Sequence, residues 1–107
     1  RASMSDIPVY MVVNLNVTDA DEYRKYEKGF FPILKKYGGS FLTFDDNPIT
    51  LEGESPREGR MIIFSFPSED VANQWWADTE YQELSAFRRA GTQMEFLTMV
   101  HGLPPRG

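Results

Sequence analysis

Residues 60–66 read Arg60-Met61-Ile62-Ile63-Phe64-Ser65-Phe66 and run straight into Pro67-Ser68-Glu69-Asp70. Successive side chains of an extended chain point to opposite faces, so Ile62, Phe64 and Phe66 share one face and Met61 and Ile63 the other. Pro67 has no N–H to give to a ladder and stops the strand. Ser68 is placed to cap a helix whose first turn holds Glu69 and Asp70, where the positive end of the helix dipole favours carboxylates. A strand apolar on both faces needs cover on both, and one layer of helices covers only one.

Working toward the N-terminus, Ile7 to Val17 has the same character. Val9, Met11, Val13 and Leu15 alternate with Tyr10 and Val12, then Asn14 and Asn16. Thr18 or Asp19 caps the next helix, in which Tyr23, Tyr26, Phe30, Leu34 and Tyr37 recur at spacings of three and four. Gly38-Gly39 ends it, one of the two taking a left-handed conformation, and Pro32 is expected to kink it near Lys28. Ser40 to Asp45 is a second strand, with Phe41 and Thr43 set against Leu42 and Phe44. The turn Asp46-Asn47-Pro48 follows; Ile49 to Gly53 is a candidate to resume pairing before the loop 54–59. Toward the C-terminus, Val71, Ala72, Trp75 and Trp76 form the apolar stripe of the second helix. Asp78 or Thr79 begins a further helical segment with Tyr81, Leu84 and Phe87/Arg88 inward. Gly91 ends that segment, and Gln93 to His101 is the last strand.

The order β-α-β-β-α-β is the ferredoxin-like arrangement: an α+β fold with a four-stranded antiparallel sheet and two crossover helices on one face. The sequence does not say which face meets the helices, because the strands are apolar on both. Burying several hundred Å² of the other face is worth on the order of 10 kcal/mol before association costs. A second copy packing sheet against sheet is the simplest cover.

The 107 residues suffice for one domain, placed at 4–103, with 1–3 read as an expression scar and 104–107 as an extended tail. The composition is that of a folded globular chain, 41% hydrophobic and 25% charged. The net charge of −5 argues against a nucleic-acid or anionic-lipid partner. No apolar run approaches the ~20 residues of a membrane span. Without a secretion signal, a cytoplasmic location is expected. The absence of Cys removes disulfides, thiolate catalysis and Cys-ligated metals.

An ordered set of short elements resembles a known family. It comprises Val17-Thr18-Asp19 leading to Tyr23 and Tyr26, Pro32 with Tyr37-Gly38-Gly39, Leu51-Glu52-Gly53, Phe66-Pro67-Ser68, Ala72 with Trp76, and Glu80-Tyr81-Gln82 with Arg88. Together, from about Val9 to Gly102, they are similar to the domain of unknown function 1330 family of the dimeric α+β barrel superfamily. The resemblance implies a ferredoxin-like subunit that pairs as a homodimer through its sheet, and it brings no established reaction. Superfamily relatives include cofactor-independent antibiotic-biosynthesis monooxygenases, lactone isomerases and haem-binding enzymes, so the fold does not choose a chemistry.

Candidate chemistry centres on a few side chains. His101, the one histidine, is a candidate general base or a plain strand-end residue. Trp76 and Tyr81 flank the helix break and are candidates to line one cavity between helix and sheet, as a Trp and nearby polar groups do in the monooxygenase relatives; Trp76 is otherwise core. Trp75, one step round the helix, is expected at the surface or the dimer contact. The Tyr23/Tyr26/Tyr37 stripe needs hydrogen-bond partners if buried, with Arg88, Glu52 or Asn14 as candidates. A cluster of Asn14, Tyr26, Tyr37, Trp76, Tyr81 and Arg88 would hold a small anion or an enolisable carbonyl, or else form a structural network. Within it, Tyr81 and Arg88 join His101 as catalytic candidates. No metal or other cofactor is expected: the sequence carries no flavin-binding signal and no grouped ligands. The leading expectation is a small-molecule binding protein or cofactor-free enzyme with a pocket between helices and sheet. The alternatives are a non-catalytic dimerisation or ligand-sensing module, and a cofactor-independent monooxygenase.

Overall fold

The computed structural model describes residues 7–54 and 58–103; the proposed scar at 1–3 and tail at 104–107 lie outside them. The elements are β1 (Val9–Val17), α1 (Ala20–Lys36), β2 (Ser40–Asp45), β3 (Arg60–Phe66), α2 (Glu69–Ala77), α3 (Thr79–Gly91) and β4 (Thr92–His101). The sheet runs β2-β3-β1-β4, and every neighbouring pair is antiparallel. The order follows from two interleaved crossovers. Helix α1 carries the chain from β1 to β2 with β3 between them; α2 and α3 carry it from β3 to β4 with β1 between. Crossovers of one hand place their helices on one face.

Which face that is follows from the register. Val9, Met11 and Val13 lie opposite Phe66, Phe64 and Ile62 on one side, and Met11 and Val13 opposite Met99 and Leu97 on the other. These residues join Tyr23, Tyr26, Phe30, Ile33 and Leu34 of α1 and Ala72, Trp75 and Tyr81 of the second crossover in a single core. The alternate residues Tyr10, Val12, Met61 and Ile63 stay half-buried and outside that core.

Local chemistry explains the helix ends. The Asp19 carboxylate accepts from the backbone N–H groups of Asp21 and Glu22, at 3.1 and 3.2 Å, and starts α1. Gly38, at φ +70°, ends it: its N–H reaches the Lys35 carbonyl at 3.0 Å while that of Gly39 reaches Leu34 at 2.9 Å. The helix continues through Pro32. The Ser68 hydroxyl accepts from Val71 N–H at 3.2 Å, starting α2.

Three local expectations are corrected. Ile49 to Gly53 adds no strand pairing; Ile49 and Leu51 are 85% and 94% exposed in the loop. Trp75 is the core tryptophan, fully buried, whereas Trp76 is 42% exposed. Both sit three or four residues beyond the buried Ala72, and periodicity alone does not separate them. Arg88, not Phe87, turns inward on α3.

Candidate functional site

A β-bulge in β2 shapes an aromatic cavity between α1 and the sheet. Phe41 pairs with Phe64 and Thr43 with Ile63, leaving Leu42 as the extra residue. Simple alternation would send Phe41 and Phe44 to opposite faces. With the bulge, Phe41 and Phe44 both line the space between α1 and the sheet. Tyr23, Tyr26, Phe30 and Phe31 of α1 close it from above, over a floor of Val13, Ile62, Phe64 and Leu97. The cavity measures about 110 Å³. Its rings meet edge to face, Phe30 against Phe64 at 5.1 Å and Phe31 against Phe41 at 5.2 Å.

Arg60, the first residue of β3, stands between this cavity and a more polar recess lined by Val17, Ala20, Arg24 and Asp46. Its guanidinium lies 4.7 Å from the Phe44 ring and 5.6 Å from the Tyr23 ring. It binds Asp46 through two nitrogens, at 2.7 and 3.2 Å, and reaches Glu27 at 3.4 Å. The hydrogen bonds from Arg60 hold the Asp46 carboxyl below the usual carboxylate range. Burial pushes the Tyr23 phenol up, so it stays protonated near neutral pH.

Deeper in the helix layer, Tyr26 and Tyr81 share a buried hydroxyl–hydroxyl bond of 2.9 Å. The Trp75 ring packs 4.2 Å from Tyr81, and the Arg88 guanidinium lies 5.7 Å from Tyr26. Burial, reinforced by Tyr81, holds the Tyr26 phenol well above its ordinary pKa. Asn14 Oδ1, Trp75 Nε1 and Arg88 Nε are buried without hydrogen-bond partners.

The structure gathers only part of the expected cluster. Tyr26, Tyr81 and Arg88 come together. Tyr37 is drawn to the end of α1, where its hydroxyl donates to Asp78 Oδ2; neither Arg88, Glu52 nor Asn14 serves it. Asn14 is buried on the other side of the sheet and donates to the carbonyls of Glu58 and Arg60, at 2.9 and 3.2 Å, tying the loop into β3. Trp76 lies outward, its ring 6.1 Å from that of Tyr81. His101 is exposed at the end of β4 and pairs with Glu69 at 2.6 Å, away from the cavity lining. Of the cavity's polar residues besides Tyr26, Arg60 showed in the sequence only as a charge at an inward strand position and Tyr23 only as one member of a tyrosine stripe, while Glu27 left no signal. Among the described residues no group of three potential metal ligands forms.

Solved structures of similar fold cover nearly the whole chain. A protein of unknown function from Rhodopseudomonas palustris is 18% identical, with a TM-score of 0.72, over 95% of this chain and 85% of that one. SnoaB from Streptomyces nogalater, described as a cofactor-independent oxygenase, is 14% identical with a TM-score of 0.53 over 94% and 96%. A dimeric ferredoxin-like protein of unknown function from Thermobifida fusca is 9% identical with a TM-score of 0.51 over 94% and 96%. These likenesses are of fold. No protein of curated function matches the chain. The family model named "Domain of unknown function (DUF1330)" matches residues 8–103, with the ferredoxin-like α+β fold the sheet displays, and the chain belongs to that family.

Proposed function

We propose that this protein binds a small, flat, largely apolar molecule in the cavity between α1 and the sheet, as a homodimer joined through the sheet face that no helix covers. The aromatic cavity carries the reading. An apolar cavity of about 150 Å³ holds one benzene; at about 110 Å³ this one takes most of a single ring, and the rest of the ligand extends toward Arg60. The half-buried Tyr10, Val12, Met61 and Ile63 supply the apolar surface for the second copy. The Thermobifida fusca protein, described as dimeric, supports the same assembly. Chemistry without a cofactor is the enzymatic form of this proposal, and SnoaB's description supports it.

Phenol is a suitable first probe, because it is one ring with one hydroxyl. Titrated into the protein at millimolar concentration, it should shift the amide resonances of Val13, Ile62 and Phe64 saturably. Ile62→Phe, which fills the floor, should abolish those shifts and leave the circular dichroism spectrum unchanged. A wild-type protein silent to phenol throughout that range overturns the proposal. Oxygen uptake with a polyphenol and no added metal would make the site an oxygenase; binding without turnover would make it a ligand-sensing module.

A further inference from the structure

The interior of the helix layer holds a positive charge that no carboxylate of the described residues pairs. Arg88 sits on the inward stripe Tyr81, Ser85, Arg88 of α3 and is only 5% exposed. Its Nε has no hydrogen-bond partner, and among the described residues no carboxylate pairs with its guanidinium. Buried charges are ordinarily paired, because leaving one unpaired in a low-dielectric interior is costly. Its guanidinium lies 5.7 Å from the centre of the Tyr26 ring.

The hydroxyls beside it have the same imbalance. Tyr26 and Tyr81 bring two O–H donors to one shared bond, so whichever phenol accepts has its own proton left over. Burial keeps the Tyr26 phenol protonated, so it offers a donor and no compensating negative charge. The Arg88 Nε–H and one O–H of the Tyr26–Tyr81 pair, both beside the Tyr26 ring, therefore lack an acceptor among the described residues. Tyr26 also forms part of the cavity wall, so a ligand in the cavity lies against it. Arg60 does not compete for an anion, since Asp46 and Glu27 already engage it.

We propose that the ligand of the cavity carries an acidic oxygen on its flat apolar body (a carboxylate, phenolate or enolate), and that Tyr26 in the cavity wall, backed by Tyr81 and Arg88, is the subsite that receives it. This rests on the cavity reading above and adds charge to it.

Benzoate and benzamide, alike in size and differing in charge, separate the two. With both followed by amide shifts at pH 7, wild-type protein should bind benzoate at least about tenfold more tightly. Arg88→Met should weaken benzoate about 10- to 100-fold and leave benzamide nearly unchanged. Arg88→Lys should recover part of the preference. Ligand-free Arg88→Met should also melt at a higher temperature than wild type, since it removes an uncompensated buried charge. Equal binding of both probes by wild type overturns this subsite and leaves the cavity reading standing. Neither probe binding overturns both. Arg88→Met melting lower, with both probes weakened alike, makes Arg88 a structural residue and overturns the assignment.

Discussion

Asp78 joins three helices, α1 and α3 through its carboxylate and α2 through its backbone N–H. Its Oδ1 accepts from Tyr81 N–H at 2.9 Å and starts α3, while Oδ2 takes the Tyr37 hydroxyl and the Lys36 ammonium, the latter at 3.1 Å. Its own N–H closes the end of α2 on the Trp75 carbonyl at 3.2 Å. The Tyr37 hydroxyl chiefly, then the Tyr81 N–H, lower the carboxyl to about 2. An unfolded aspartate titrates near about 3.9, so the folded value is the lower one. The stabilisation is therefore present in full above about pH 4 and fades as pH falls toward about 2. Asp78→Asn keeps a capping oxygen and removes the charge. Thermal melts between pH 7 and pH 2 should show a steeper acid loss for wild type than for this variant. Parallel curves would refute the assignment. Asp78→Ala, which also loses the cap, should cost about 1 kcal/mol at pH 7.

Among the elements, α1 is continuous despite Pro32, an exposed residue in its interior. The missing N–H leaves the Lys28 carbonyl without its helical partner, a defect worth up to about 3 kcal/mol. Pro32→Ala should raise the stability by about 1–3 kcal/mol, read as a higher urea midpoint at unchanged slope. An unchanged midpoint would mean that the surrounding helix has already absorbed the defect. The junction of α3 with β4 is the opposite case, a glycine with a clear use. The Gly91 carbonyl accepts from the N–H groups of Thr18 and Asp19, and a Cβ there would stand 2.8 Å from the Asp19 carbonyl oxygen. Only a residue without a side chain lets the end of α3 approach the start of α1 so closely.

At the scale of the molecule, the chain is a slab 16 Å thick across its Cα atoms, one sheet and one helix layer. No helix among the described residues is long and apolar enough to cross a membrane. The proposed dimer gives the uncovered face its function. Light scattering should report twice the 12.3 kDa chain mass for wild type. Ile63→Glu puts a charge in the middle of that face and should yield the single chain with its secondary structure intact. A wild-type monomer at micromolar concentration would remove the dimer from the proposal.

The sequence by itself determined the order of the elements, the cap at Ser68, the glycine stop of α1 and a helix break at Asp78 or Thr79, and it narrowed the first cap to Thr18 or Asp19. Each is decided by side-chain chemistry within a few residues. It also marked Tyr26, Tyr81 and Arg88 as members of one cluster, but together with Asn14 and Tyr37, which the structure places elsewhere, and Trp76, which it turns outward. Only the tertiary structure decided which sheet face meets the helices, that Trp75 and not Trp76 fills the core, and that Leu42 bulges so that Phe41 and Phe44 share one cavity. Those outcomes depend on register and packing between strands and helices far apart in the chain. The Tyr26–Tyr81 bond spans 55 positions, a separation that no local periodicity encodes.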